Sequence, residues 1–334
     1  MKTSEDVLKL IGNTPLARVK HMTNGNGVNV WAKLEYFNLT GSVKDRMALY
    51  IVEDAERSGL LKPGGTIVEN SSGNTGSALA MIASIKGYRC IITIPDKMST
   101  EKINLMKAYG AEVIVTPTHV PADSPESYYS VARRLASEIP GSFYPDQYNN
   151  PKNIEAHYMT TGPEIWEQTG GAIDYFVAGI GTGGTLSGVA RYLKEKNPEI
   201  KIIAVDPIGS VFYPYFKTGD IGHPHVYKVE GIGEDYLVKA VDFSLIDDII
   251  QVDDKESFLT TRRLAREEGF FAGGSAGSAI YAALKVAETA ESGSNIVVIL
   301  PDHGTRYLSK IYNDEWMKEN GYLSDNGNGN GDKS

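Results

Sequence analysis

Short, almost unbroken apolar runs recur along the chain, and a segment with helical spacing follows each of them. The run at 88–94 stops at Pro95, and the one at 111–116 follows a helix-like stretch over 100–109. Residues 66–68, 175–180, 201–205 and Asn295–Leu300 repeat the theme, rich in Val, Ile and other strand-forming residues. Strands that lack polar alternation are buried on both faces. Separated by helices, they predict an α/β chain of mostly parallel twisted sheets with helices on both sides. In such sheets ligands collect beyond the carboxyl ends of the strands, in the loops that open the next helix. The final segment, 324–334, carries no apolar side chain and is expected to be a disordered tail.

Composition narrows the class. At 334 residues the chain has room for about two domains at ~150 residues each. Its net charge of −9 disfavours a nucleic-acid or anionic-membrane surface. No stretch reaches the ~18 consecutive apolar residues a membrane span needs. The only cysteine, Cys90, lies inside an apolar run; it reads as a core residue, and a single cysteine excludes an internal disulfide and a cysteine metal cluster. His223 and His225 form an H-x-H with no evident third ligand, so no metal site is expected. These features point to a soluble, cytoplasmic globular protein.

Three loops carry candidate chemistry. The first is Gly179-Ile180-Gly181-Thr182-Gly183-Gly184-Thr185, between a strand and the helical pattern over 186–196. Its glycines let backbone N–H groups approach an anion at a positive helix terminus, and a phosphate is the natural guest. The same spacing reads as G-x-G-x-x-G, with Asp206 ending the next strand, so an NAD(P) or flavin dinucleotide competes. The second is Glu69-Asn70-Ser71-Ser72-Gly73-Asn74-Thr75-Gly76, whose hydroxyls and N–H groups suit a carboxylate. Helix capping by the same residue types is the plainer explanation. The third is Thr40-Gly41-Ser42-Val43-Lys44-Asp45-Arg46. With Ser42 as N-cap, Lys44 falls in the first helical turn, where the helix dipole disfavours an ammonium. A surface lysine gains nothing there. A Schiff-base lysine gains a lowered pKa and an accessible neutral amine. A fourth small-residue loop, Gly273-Gly274-Ser275-Ala276-Gly277-Ser278, opens a helix and offers a serine hydroxyl to a pyridine nitrogen. A serine does not hold that nitrogen protonated, so it makes a weaker electron sink, suited to elimination at Cβ. Together these are the parts that pyridoxal phosphate chemistry on an amino acid needs.

The motifs GSVKDR at 41–46, SGNTG at 72–76, GTGGT at 181–185 and GGSAGS at 273–278 resemble the fold-type II pyridoxal phosphate family of cystathionine β-synthase and cysteine synthase. The likeness runs from Ile11 to about Leu323. It is strongest to the cystathionine β-synthase catalytic core, through the segments at 95–102, 123–127, 146–148 and 229–233. The resemblance implies a two-domain, tryptophan synthase β-like fold, with 1–44 and 150–323 forming a large cofactor domain and 45–149 a smaller mobile one. It implies Lys44 as Schiff-base lysine and proton shuttle, Asn74 on the cofactor's ring hydroxyl, and Gly181, Thr182, Gly183, Gly184 and Thr185 on its phosphate. Ser275 would meet the pyridine nitrogen, while Ser71, Ser72, Thr75 and Gln147 hold the substrate carboxylate. The implied reaction is β-replacement on L-serine, or an O-activated serine, by a thiol. Homocysteine would give cystathionine, and sulfide with an acetyl or phosphoryl ester would give cysteine. A homodimer is expected. Glu234 departs from the pattern: similar cystathionine β-synthases usually carry a tyrosine there, next to the acceptor's path.

Overall fold

The computed structural model describes residues 4–324 except 24 and 122, so all but the first residue of the expected tail lies outside the described residues. The strands are β1 (Leu16–Val19), β2 (Asn29–Leu34), β3 (Thr66–Asn70), β4 (Arg89–Pro95), β5 (Glu112–Thr116), β6 (Ser142–Phe143), β7 (Tyr175–Gly179), β8 (Lys201–Pro207), β9 (Asp248–Val252) and β10 (Asn295–Leu300). They form a six-stranded sheet, ordered β1-β2-β10-β7-β8-β9, and a four-stranded sheet, ordered β5-β4-β3-β6. Every pairing is parallel except β1 with β2. The helices are α1 (Lys44–Arg57), α2 (Asn74–Lys86), α3 (Thr100–Ala108), α4 (Tyr128–Glu138), α5 (Lys152–Met159), α6 (Thr161–Thr169), α7 (Gly184–Lys196), α8 (Phe212–Thr218), α9 (Asp254–Arg263), α10 (Gly274–Thr289) and α11 (Asp314–Glu319).

The apolar runs behave as their composition demands. Along β10, Ile296, Val298 and Leu300 enter one core with Ala279, Ile280 and Ala283 of α10, while Val297 and Ile299 enter another with Leu186, Val189 and Leu193 of α7. Period-two alternation therefore fills both faces of the sheet. The smaller sheet repeats the arrangement: Ile67, Cys90 and Ile92 pack on Leu79 and Ile82 of α2, and Val68 and Ile91 pack on Ala132 of α4.

Three strand ends face the same region. β3 leads through Ser71 to α2, β7 leads through Gly181 to α7, and β10 leads to Pro301 and Asp302. The Val43 N–H donates to the Pro301 carbonyl at 2.8 Å, which seats the start of α1 at the end of β10. One local expectation is corrected here. Val43, not Ser42, precedes the first helical residue, Lys44, and Ser42 Oγ accepts the Lys44 N–H at 3.2 Å. The Asp45 carboxylate does not close a capping box. It turns back to the Thr40 backbone N–H at 2.7 Å and to the Thr40 hydroxyl. Lys44 still lies in the first turn.

Candidate active site

A cavity of about 770 Å³ lies against these strand ends, and its lining includes Lys44, Ser71, Ser72, Asn74, Thr75 and Gln147. Gly181, Thr182 and Ser275 line it as well. Gly183 and Thr185 join Gly181, Thr182 and Lys44 around an adjoining small recess. Gly184 starts α7 directly behind that recess. The sequence scatters these residues over more than two hundred positions, and the fold gathers them into one place. Helices α1, α2, α7 and α10 all begin here, so their positive ends converge on the cavity.

Burial is the largest influence on the Lys44 amine and pulls its pKa below the ordinary value. Attraction to Asp302 and Glu234 opposes that pull without cancelling it. The neutral amine is therefore more accessible than on a surface lysine.

The loop before α2 is set by its own hydrogen bonds. Ser71 Oγ accepts the Gly73 N–H at 3.0 Å and the Gly76 N–H at 2.9 Å, so this hydroxyl caps its helix, as the plainer explanation holds. Its proton is still free to be donated. Thr75 Oγ1 donates to Gln147 Oε1 at 2.6 Å, and Gln147 Nε2 donates to the Asn70 carbonyl at 3.1 Å. Gly73 has φ 142°, a conformation other residues rarely adopt, and a Cβ there would meet Lys102 Cδ at 2.5 Å and push that side chain aside. Behind the loop, burial pushes the Glu69 carboxyl up to about 8, although it accepts the Asn70 and Gln147 N–H groups.

The 181–185 loop rests on residues that sequence reading passed over. Asn153 Nδ2 donates to Thr182 Oγ1 at 3.0 Å and to the Gln147 carbonyl at 2.9 Å, tying the two ligand loops together. A Cβ on Gly184 would overlap the Asn153 side chain. His157 lies between Thr185 Oγ1, 3.2 Å from Nε2, and Thr161 Oγ1, 2.9 Å from Nδ1. Burial, reinforced by Lys44 and Arg46, drives its pKa well below the ordinary value, so the imidazole is neutral and orients the Thr185 hydroxyl. As one of six dispersed histidines, His157 had no local signal to find it by.

Asp302 was missed for the same reason. It is buried and accepts Asn74 Nδ2 at 2.8 Å and the Tyr307 hydroxyl at 2.6 Å. Asn74 Oδ1 is buried without a protein partner, which leaves one end of this cavity-lining amide for a ligand. Asp206, by contrast, is fully buried and accepts the Tyr213 N–H at 2.9 Å, at the start of α8. It is committed inside the protein and is not presented to a ribose, which removes the dinucleotide reading. Trp166 packs against the core beneath α7, whereas Trp316 reaches the cavity wall. Among the described residues no cluster of His, Cys, Asp or Glu could hold a metal ion. No helix there is long and apolar enough to cross a membrane.

Residues 7–302 match the family model described as pyridoxal-phosphate dependent enzyme. The chain belongs to that family. Its members depend on pyridoxal phosphate, and the cavity fits this cofactor: it has a desolvated amine, an unpartnered amide, and a glycine loop at a helix start beneath a neutral histidine. The chain is 48% identical over 325 residues to cystathionine beta-synthase of Apis mellifera, a match covering 96% of this chain and 64% of the relative. The chain thus spans under two thirds of that relative's length. Among solved structures it is similar to O-ureido-L-serine synthase, with TM-score 0.87 and 38% identity over 97% of this chain and 98% of the other. It is likewise similar to the O-acetylserine dependent cystathionine beta-synthase from Helicobacter pylori, with TM-score 0.86 and 39% identity over 94% and 100%.

Proposed function

We propose that the enzyme catalyses β-replacement on L-serine, or on an O-activated serine, by a thiol, with homocysteine as acceptor and cystathionine as product. One observation carries this reading: a desolvated lysine amine shares a cavity with a carboxylate-binding loop and a phosphate-binding loop. Lys44 Nζ would hold the cofactor's aldehyde, residues 181–185 its phosphate, Asn74 its ring hydroxyl and Ser275 its pyridine nitrogen. Bound there, pyridoxal phosphate supplies an electron sink that acidifies the α-proton of an amino acid.

The chain's own residues do the rest. The Ser72 hydroxyl, the remaining loop N–H groups and the Gln147 amide N–H bind the substrate carboxylate, with the proton of Ser71 as a further donor and the Thr75 hydroxyl turning to it from Gln147. This fixes Cα relative to Lys44. The Lys44 amine takes the proton from Cα and later returns it. Serine at the pyridine nitrogen limits how long negative charge is stored at Cα, which favours loss of the β-substituent over reaction at Cα. Residues 45–149 are proposed to close over the amino acid and exclude water. A cytoplasmic homodimer completes the reading.

An ester donor with sulfide, giving cysteine, is the second reading. The likeness to the Helicobacter pylori enzyme, whose name states O-acetylserine dependence, supports the ester donor alone, since that name also states cystathionine synthesis. Serine, O-acetylserine and O-phosphoserine, each paired with homocysteine, sulfide or cysteine, with products identified by mass spectrometry, test both readings. Thioether formation supports the first and cysteine formation the second. Failure of every pair overturns both.

A further inference from the structure

Glu234 has no role in the scheme above, yet it lines the same cavity as Lys44, Ser72 and Gln147. Its backbone is fixed: its N–H donates to Ser210 Oγ at 3.1 Å, and its carbonyl accepts the Val211 N–H at 3.1 Å. Two other acids share the cavity wall. Glu230 is held between Lys102 and Lys310, and Asp235 is exposed to solvent. Glu234 alone of the three is half-buried and makes no ion pair among the described residues.

The charged groups that face it are Lys44 from α1, Lys97 from the loop after β4, and its neighbour Asp235. The titratable neutral groups are phenols. Tyr148 lies beside the carboxyl and favours its charged form, and Tyr128, Tyr129, Tyr227 and Tyr236 lie within its field. All five phenols are raised, chiefly by burial, so they remain protonated and accept no proton from a substrate. Burial, with Asp235 adding to it, raises Glu234 to about 8 against the two lysines. A carboxyl poised there donates and accepts protons near neutrality.

We propose that Glu234 is a catalytic residue that gives a proton to the departing β-hydroxyl of serine and takes one from the incoming thiol. The proposal rests on the β-replacement reading. In the first half, the Cβ–O bond breaks with its electron pair on oxygen, and the Glu234 proton converts the departing hydroxide to water. Glu234 is left as a carboxylate. In the second half, the S–H proton moves to that carboxylate while the sulfur pair forms the Cβ–S bond, and Cα recovers its proton from the Lys44 ammonium. Serine and thiol become thioether and water, and both side chains return to their starting states. An acetyl ester departs as acetate and needs no such acid.

The test compares cofactor-loaded wild type with Glu234→Gln and Glu234→Asp, using one thiol with L-serine and with O-acetyl-L-serine. In Glu234→Gln the ratio of kcat/KM for serine to that for the ester is expected to fall about 100-fold. Glu234→Asp, a shorter acid, is expected to restore part of it. In wild type the serine reaction falls as pH rises through about 8, and the Gln variant lacks that limb. Cofactor absorbance and near-UV circular dichroism check that the variants are intact. If Glu234→Gln fails to fold, Glu234→Asp and the wild-type pH profile carry the comparison. An unchanged ratio, a serine profile without the limb, or a wild type that uses the ester but not serine overturns the proposal and leaves β-replacement standing. A wild type that makes no thioether from any donor overturns the β-replacement reading itself, and the proposal with it.

Discussion

Asn74 donates its side-chain amide to Asp302 across 228 positions of sequence, at 2.8 Å, and so joins the start of α2 to the end of β10. The Tyr307 hydroxyl holds the same carboxylate oxygen at 2.6 Å. The amide that is proposed to meet the cofactor's ring is thus aimed by a buried acid. Asp302→Ala frees Asn74 to rotate and leaves the buried Tyr307 hydroxyl without its partner. The expected result is a shifted absorption band of the bound cofactor and a kcat lowered by up to about 100-fold, the cost of a misplaced positioning group. Absorption spectra and steady-state kinetics check it; an unchanged spectrum with unchanged kcat would contradict the positioning role.

Lys44 stands at the wrong end of a helix for a cation, in a partly desolvated place. Lys44→Ala is therefore expected to keep or raise the melting temperature while lowering turnover by more than about 1,000-fold. Calorimetry and product assays on the same preparation separate the two effects. Normal turnover would refute the lysine's assignment.

The sequence made the parallel layers legible because strands such as Asn295–Leu300 are apolar on both faces, and it made the ligand loops legible because glycine and hydroxyl residues crowd them. β1 is four residues long and half exposed, so it carries no such pattern. Helices α5 and α6 meet at Thr160 and are only 8 and 9 residues long, too short for an apolar stripe to repeat. Asn153, His157 and Asp302 act through contacts 28 to 228 positions away, which no window along the chain can contain. Lys44 was readable because its difficulty is local: a cation at the start of its own helix.

Behind Lys44, the Arg46 guanidinium bridges Glu35 and Glu164, and Lys33 bonds Glu164 at 2.9 Å. Burial alone would raise Glu164, but Arg46 and Lys33 outweigh it and bring the carboxyl down to about 2. A carboxyl depressed in the folded state stabilises fully above its ordinary value of 4.5, and that contribution is lost as pH falls towards 2. Glu164→Gln leaves two buried cations undercompensated and is expected to cost about 3–5 kcal/mol near neutrality. The difference in melting temperature from wild type is expected to shrink as pH drops from about 5 to about 2, because protonation removes the same charge from the native protein. A difference that stays constant over that range would show that packing, not charge, is what the substitution removes.

Gly184 touches Asn153, and Asn153 holds Thr182 and the Gln147 carbonyl, so one small substitution is expected to disturb both ligand loops. Gly184→Ala pushes Asn153 away from Thr182 in a buried setting that has little room to relax. Cofactor affinity is expected to fall by about 10-fold, the loss of roughly one hydrogen bond's worth of binding energy. Titration of the apoenzyme with pyridoxal phosphate, followed by fluorescence, measures it. Wild-type affinity in the variant would mean that the loop tolerates the shift.

An ion-pair network at the cavity wall joins α3, on the four-stranded sheet, to the segments after β8 and β10. Glu230 accepts from Lys102 and, at 2.6 Å, from Lys310. Burial opposes ionisation of Glu230, yet the two ammonium groups bring it down to about 2, so the link is intact at all ordinary pH values. The Lys102 stem also fills the space beside Gly73, which makes this ion pair the neighbour of the carboxylate loop. Glu230→Gln removes the shared anion and leaves two ammonium groups facing each other. If residues 45–149 close over the amino acid, the variant is expected to close less well: KM for the amino acid rises about 10-fold or more while the cofactor spectrum without substrate stays as in wild type. Raising the salt concentration weakens the wild type only slightly, because a pair this buried is poorly screened. A KM that remains unchanged in Glu230→Gln would show that closure does not depend on this bridge.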